Sequence, residues 1–263
     1  MIAFHSHPLS SPLNQLVGLM ILGGALLYAY SIYDLYQHGA LGSIWRRGLI
    51  RSYQILAFLA GLVTLATALL SPLDTRAEIS FSAHMIQHIL LAMLAPPLLL
   101  FGIPSPIARA ALFRPWLRSL LGRLTDPFVA FTIFYLNLYV WHVPDVYDFA
   151  LQNEFAHALQ HTLFFYTAML FWWRIIDPTH GWFPLWDWPP AKWVYLLVAA
   201  PASYILGAFL WGSGRIIYPH YAGIEALADQ RLGGLIMWIQ GWMFLMVSML
   251  VFFRGYHPER EPA

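Results

Sequence analysis

The sequence contains no cysteine among its 263 residues. This absence excludes thiolate nucleophiles, disulfides, iron–sulfur clusters and thiolate ligands to copper. A metal site in this chain must therefore be built from histidine, methionine, carboxylates or backbone oxygen atoms.

Charged residues are also scarce, at 10% of the chain, whereas 59% of residues are hydrophobic. Soluble globular domains carry about 25% charged residues. A water-soluble protein of this size could not cover its surface with so few, so the lipid bilayer must be part of its solvent. The net charge of +1 argues against nucleic acid as a partner, because binding to phosphate backbones needs a basic patch.

Seven apolar stretches approach the length of about 20 residues that a helix needs to cross a bilayer. We therefore predict an all-α integral membrane protein, with residues 1–263 forming a single polytopic domain. No Lys or Arg precedes the first stretch, so we expect a retained transmembrane helix there rather than a signal peptide. The predicted bundle of seven transmembrane helices covers about residues 14–36, 52–72, 80–102, 127–143, 155–174, 193–212 and 231–253.

Basic residues are concentrated in alternate connections between these stretches. Short loops that are rich in Lys and Arg normally face the cytoplasm. The pattern predicts that the N-terminus is outside and the C-terminus is cytoplasmic. The basic residues on the predicted cytoplasmic side are Arg46, Arg47, Arg51, Arg109, Arg114, Arg118, Arg123, Arg174, Lys192, Arg254 and Arg260.

Four dipeptides predict local features of the helices. Asp126–Pro127 is typical of an N-cap followed by proline in the first turn. Pro96–Pro97 predicts a kink or an irregular end late in the third helix, because proline lacks an N–H donor. Gly23–Gly24 and Gly233–Gly234 predict close approach between helices.

Five histidines are expected near one face of the membrane. His84 and His88 begin the third helix in HMIQH, His157 and His161 begin the fifth in HALQH, and His142 ends the fourth in WHVP. Residues four apart share a helix face, so each pair places two imidazoles together. Polar groups within the bilayer usually face the bundle interior and mark function. Because imidazole suits Cu, Zn, Fe and Ni, we predict a metal site.

Neighbouring residues offer accessory roles. Met85 is a possible thioether ligand, which would favour Cu(I), and Asp229 at the start of the last helix is either a cap or a counter-charge. Gln87 and Gln160 each precede the second histidine of a pair and either orient an imidazole or bond between helices. The other histidines are interpreted as solvated loop or tail residues, of which the first two could also capture metal: His5, His7, His38, His180, His220 and His257.

The residues leave three other functions open. A single b-type heme could be held by histidines of two helices, which would make the protein a membrane cytochrome or electron carrier. A zinc hydrolase would need a Glu beside its histidines as general base, and neither HMIQH nor HALQH contains one. A metal-free structural subunit would use its histidines in bonds between helices.

Several strings resemble the CtaG family, the bacterial multi-spanning assembly factors of caa3-type cytochrome c oxidase. They run in order from about residue 50 to 253: SPLD, SAHMIQHILL, LFGIP, WHVPDVYDFAL, HALQHTLFF, LFWW and DQRLGGLIMW.

This resemblance implies a non-catalytic role in maturing a heme–copper oxidase in the bacterial plasma membrane, with oxidase subunits as partners and copper as the metal supplied. The positions that it carries over are His84, His88, His142, His157 and His161, with Asp229 at the head of the last helix. The family often has Glu where this chain has Gln160, which removes a possible anionic group from the site.

Overall fold

The computed structural model describes residues 12–38, 52–179, 189–223 and 225–255, which are mostly helical, with no strand in these ranges. His5 and His7 lie outside the described residues. The helices are α1 (Pro12–His38), α2 (Ser52–Leu70), α3 (Pro72–Ala77), α4 (Phe81–Gly102), α5 (Ser105–Ala111), α6 (Pro115–Leu124), α7 (Pro127–Trp141), α8 (Pro144–Gln152), α9 (Glu154–Ile176), α10 (Pro189–Gly212) and α11 (Ala226–Gly255).

The predicted all-α architecture is confirmed, and each of the seven predicted segments falls on one long helix. Within the described ranges, four helices are long and apolar enough to cross a membrane: Pro12–Gln37, Ser52–Leu70, Phe81–Gly102 and Pro190–Gly212. Helix α7 is apolar but has only 15 residues. The seven-span topology and its orientation stay predictions.

The short helices in the connections are absent from the sequence-based prediction. Helices α3, α6 and α8 each begin at a proline, and α5 has proline in its first turn. The first helical turn tolerates proline because its N–H groups have no partner within the helix. The Asp126 cap of α7 is confirmed, since its carboxylate accepts hydrogen bonds from the backbone N–H groups of Phe128 and Val129.

Helix α4 continues through Pro96–Pro97 because its backbone rearranges one turn earlier. Residues Leu90–Leu94 form a π-helical turn, and such turns accommodate an extra residue within an α-helix. The prolines cannot donate to carbonyls of the preceding turn. The carbonyl of Ala92 is bonded instead by the indole Nε1 of Trp172 on α9, at 2.9 Å. The predicted irregularity is therefore present, and the carbonyl that it leaves without a partner in its own helix is bonded by a side chain of the neighbouring helix α9.

Trp172→Phe should lower the free energy of unfolding by about 1 kcal/mol, because it removes one hydrogen bond between helices. Trp173→Phe is a matched control, since its Nε1 is buried without a hydrogen-bond partner. Thermal unfolding of the detergent-purified protein measures both variants. An equal loss in the two would assign the effect to ring packing rather than to the bond with Ala92.

The two glycine pairs differ in their surroundings. A Cβ added to Gly234 of α11 would lie 2.6 Å from the backbone nitrogen of Trp211 and 2.7 Å from the carbonyl oxygen of Gly207, both on α10. A Cβ on Gly23 or Gly24 would meet nothing within 4 Å. Close approach is thus confirmed for the second pair and wrong for the first, because no described residue of another helix lies within contact distance of Gly23 or Gly24.

Helix α1 lies at the edge of the bundle. Of its described side chains only Tyr28 is buried, and its ring stacks on Phe58 of α2 at 3.8 Å between centroids. The Tyr28 hydroxyl donates to the carbonyl of Gly102, at the end of α4. The larger core cluster lies on the other side of α4, around aromatic side chains of α7, α9 and α11.

Candidate metal centre

The five predicted histidines meet at one end of the bundle, where α4 and α9 begin and α7 ends. We call this group the histidine cluster: His84, His88, His142, His157 and His161. Ring centroids are 5.3 Å apart for His84 and His157, 5.5 Å for His88 and His161, and 6.0 Å for His88 and His142. The geometry therefore brings together imidazoles from three helices.

Three of the five rings form the tightest part of the cluster. One nitrogen from each of His84, His88 and His161 lies within 4.8 Å of the others, and all three residues are buried. The Nε2 atoms of His84 and His88 are 2.8 Å apart. This inner trio has the size and the ligand type of a site for a metal that accepts imidazole nitrogen.

Four imidazole nitrogens in the cluster are buried without a hydrogen-bond partner. They are Nδ1 of His88 and Nε2 of His142, His157 and His161. Leaving a buried polar group unpaired costs about 1–3 kcal/mol. Several such atoms in one place fit a group that binds them all, and a metal ion held by neutral imidazoles satisfies that requirement.

Hydrogen bonds fix the tautomers of two rings. Nδ1 of His142 is 2.7 Å from the carbonyl oxygen of Leu138, which only accepts, so Nδ1 carries the proton and Nε2 keeps its lone pair. The hydroxyl of Tyr221 donates to the carbonyl of Ala77 and lies 3.1 Å from Nδ1 of His84. It therefore accepts from His84, whose Nε2 also keeps a lone pair.

Tyr221 belongs to a 3₁₀ turn, Pro219–Tyr221, between α10 and α11. Burial raises the pKa of Tyr221, so the hydroxyl keeps the proton that it donates to Ala77. Tyr147 of α8 lies 3.3 Å from the same hydroxyl oxygen and donates to it. Sequence reasoning missed both tyrosines, although Tyr147 stands within the string WHVPDVYDFAL.

The tautomer of a neutral His84, with its proton on Nδ1, also determines its contact with His88. Because the His84 Nε2 atom can only accept, the facing Nε2 of His88 donates across the 2.8 Å separation. The lone pair of His88 is then on Nδ1, the atom without a partner. An ion between the two rings would replace this single hydrogen bond with two bonds to nitrogen.

Asp229 caps α4 from the neighbouring helix α11. Its carboxylate accepts from the backbone N–H groups of Phe81 (2.6 Å) and Ser82 (3.3 Å) and from the hydroxyl of Ser80 (3.1 Å). The Ser82 hydroxyl also donates to it. A carboxylate is stabilising at a helix N-terminus. The last helix begins at Ala226, so Asp229 does not cap its own helix, as the sequence led us to expect, but the helix that carries His84 and His88.

The other accessory residues, Met85, Gln87 and Gln160, differ in the contacts that they make. Met85 is buried beside Gly233 of α11, and ligation by its sulfur stays a prediction. Gln87 donates to the carbonyl of Ala68 and to the carboxylate of Asp74, so it joins helices. Burial raises the pKa of Asp74. Both polar atoms of Gln160 are buried without a partner.

Comparison with known proteins identifies the family. The model of the cytochrome c oxidase caa3 assembly factor family (Caa3_CtaG) matches residues 26–257. The chain belongs to this family. The resemblance expected from the sequence is confirmed, and the matched range of the caa3 assembly factor family includes all five histidines and Asp229.

Relatives of this member of the Caa3_CtaG family include uncharacterized proteins of Mycobacterium bovis and Mycobacterium tuberculosis, each 27% identical over 221 residues. A third, from Mycobacterium leprae, is 27% identical over 223 residues. Each match covers 75% of this chain and 32% of the relative, so the chain spans about a third of the length of these proteins. No solved structure matches the chain.

Proposed function

We propose that this assembly factor binds copper at the histidine cluster, on the outer side of the bacterial plasma membrane, and passes it to a copper centre of cytochrome c oxidase. The observation that carries the proposal is the convergence of buried imidazole nitrogens that have no hydrogen-bond partner. Family membership supports the oxidase as recipient. Copper is the cargo of the protein and is not used for catalysis.

The ligand set suits the metals that imidazole accepts, and copper is one of them. Two lone pairs, on Nε2 of His84 and of His142, are fixed by hydrogen bonds to the opposite ring nitrogens. Fixing the tautomer in this way is typical of histidines that bind metals. A neutral all-imidazole site has no carboxylate to act as a general base, which supports delivery of the metal rather than hydrolysis.

The packing disfavours the heme alternative. A heme held by two histidines needs a flat space between the coordinating rings that is wide enough for a porphyrin. Here the ring of His88 stacks on Phe164 at 4.3 Å and lies 5.5 Å from the ring of His161. The space between the rings suits a bare ion.

Metal analysis of the purified protein tests the proposal. The protein, purified in detergent from copper-supplemented cells, should contain stoichiometric copper and show no Soret band. Incubation of the loaded protein with copper-depleted oxidase should restore the absorption bands of the oxidase copper centres. Copper-free protein that also fails to take up Cu(I) in an anaerobic titration would contradict the proposal and favour a metal-free scaffold.

Tyr221→Phe should weaken Cu(I) binding about 10-fold, because the hydroxyl that orients His84 is lost. Tyr218→Phe is the matched control. It removes a buried hydroxyl close to the same turn, and that hydroxyl donates to the backbone carbonyl of His142 rather than to a ring nitrogen. Competition with a chromogenic Cu(I) chelator gives both affinities. Equal losses in the two variants would show that loop packing, and not ring orientation, sets the affinity.

A further inference from the structure

A cavity of about 1320 Å³ lies between α1, α2, α4 and α9 and reaches the histidine end of the bundle. Among the described residues, its lining contains no Lys or Arg. Five carboxylates line it instead: Asp74, Glu78, Glu154, Glu225 and Asp229. A cleft lined by charges of one sign concentrates ions of the opposite sign and raises their rate of association. This cavity therefore attracts cations.

The histidine cluster meets the cavity on one side only. His157 and His161 line the cavity, whereas His84, His88 and His142 are absent from its lining. His161 is 7% exposed, and its Nε2 is buried without a hydrogen-bond partner. An unpartnered, buried ring nitrogen thus lies where the acidic cavity meets the cluster, which points to a ligand independently of the carboxylates.

His161 belongs to two groups of potential ligands. Its ring is 4.2 Å from that of His157, and this outer pair lines the cavity. With His84 and His88 it also forms the inner trio. A ligand shared by two sites lets an ion move from one to the other without losing all of its bonds.

We propose that copper reaches and leaves the inner trio of the cluster through this acidic cavity in two steps. It is held first by His157 and His161 and then by His84, His88 and His161, so that His161 is the shared ligand. In the exchange, the copper–His157 bond breaks and bonds to His84 and His88 form, while the bond to His161 is kept. Neutral rings supply the lone pair for each bond, and the oxidation state of copper does not change. This inference rests on the proposed function.

Copper transfer kinetics test the route separately from binding. The full chain in detergent is loaded with Cu(I), and a chromogenic chelator extracts it under anaerobic conditions in a stopped-flow instrument. His157→Ala should exchange copper about 10-fold more slowly, which corresponds to the loss of one stabilising contact along the path, and it should lose less affinity than His88→Ala does. An affinity loss as large as that of His88→Ala would instead make His157 a resident ligand and overturn the two-step route.

The carboxylates supply a second test that leaves the cluster intact. Glu78→Gln/Glu225→Gln changes two exposed carboxylates in the cavity lining and should lower the loading rate about 10-fold at low ionic strength. Asp145→Asn is the control, because Asp145 is exposed at the start of α8, outside the lining. Wild-type rates in both the His157 and the carboxylate variants, with copper still bound, would overturn the route and leave the proposed function standing. Wild-type protein that binds no copper would overturn both.

Discussion

His84→Ala/His88→Ala is expected to lower the affinity for Cu(I) at least about 100-fold, more than loss of an orienting contact alone would. The double variant removes two of the three rings of the inner trio and leaves His161 as its one member. The affinity is measured anaerobically by competition with a chromogenic chelator, on protein purified in the same detergent as the wild type.

His220→Ala is the control for this loss. His220 lies at the same end of the bundle, but it is exposed and its Nε2 donates to the backbone carbonyl of Glu78. The control should bind Cu(I) as the wild type does. Retention of copper by the double variant, or an equal loss in the control, would mean that the metal binds outside the inner trio. Thermal unfolding of all three proteins separates loss of ligands from loss of fold.

Gly234→Ala should lower the free energy of unfolding by about 1–3 kcal/mol, the usual effect of adding a methyl group to a filled interface. The new Cβ would lie 2.7 Å from the carbonyl oxygen of Gly207 and 2.6 Å from the backbone nitrogen of Trp211. Neither is the end of a flexible side chain, so α10 and α11 would have to separate. Unfolding in detergent, followed by circular dichroism, measures the change.

Gly23→Ala is the matched control, because the same methyl group would meet nothing within 4 Å. Alanine is the better helix former by about 1 kcal/mol, so this variant should be as stable as the wild type or slightly more stable. Equal destabilisation of the two variants would contradict the assignment of Gly234 to a close helix contact.

The long helices and the histidine cluster were predictable because their signals are local. Apolar length locates the helices, and the four-residue spacing of His84 and His88 fixes their common face whatever surrounds them. The prediction that α4 and α9 present their pairs to each other needed only that both begin at the same end of the bundle. Each of these predictions depends on residues that are close in sequence.

What the sequence did not reveal depends on contacts between distant segments. Asp229 bonds to Ser80, which is 149 residues away in the chain, and Tyr221 lies 137 residues from His84. No local pattern assigns a loop tyrosine to a particular imidazole. The prediction of close approach fails at Gly23–Gly24 for the same reason, since this pair and Gly233–Gly234 are alike in sequence and differ only in what packs against them.

The π-helical turn of α4 sets the angular phase between the two halves of that helix. Each residue turns an α-helix by about 100°, and the half after Leu94 is held against α2 by Gly102 and Phe58. Deleting one residue from Leu90–Leu94 would therefore rotate the first half by about 100° and carry His84 and His88 out of the cluster. The direction in which His84 and His88 face therefore depends on the number of residues between them and the second half of the helix. A change in that number by one residue would remove both histidines from the cluster.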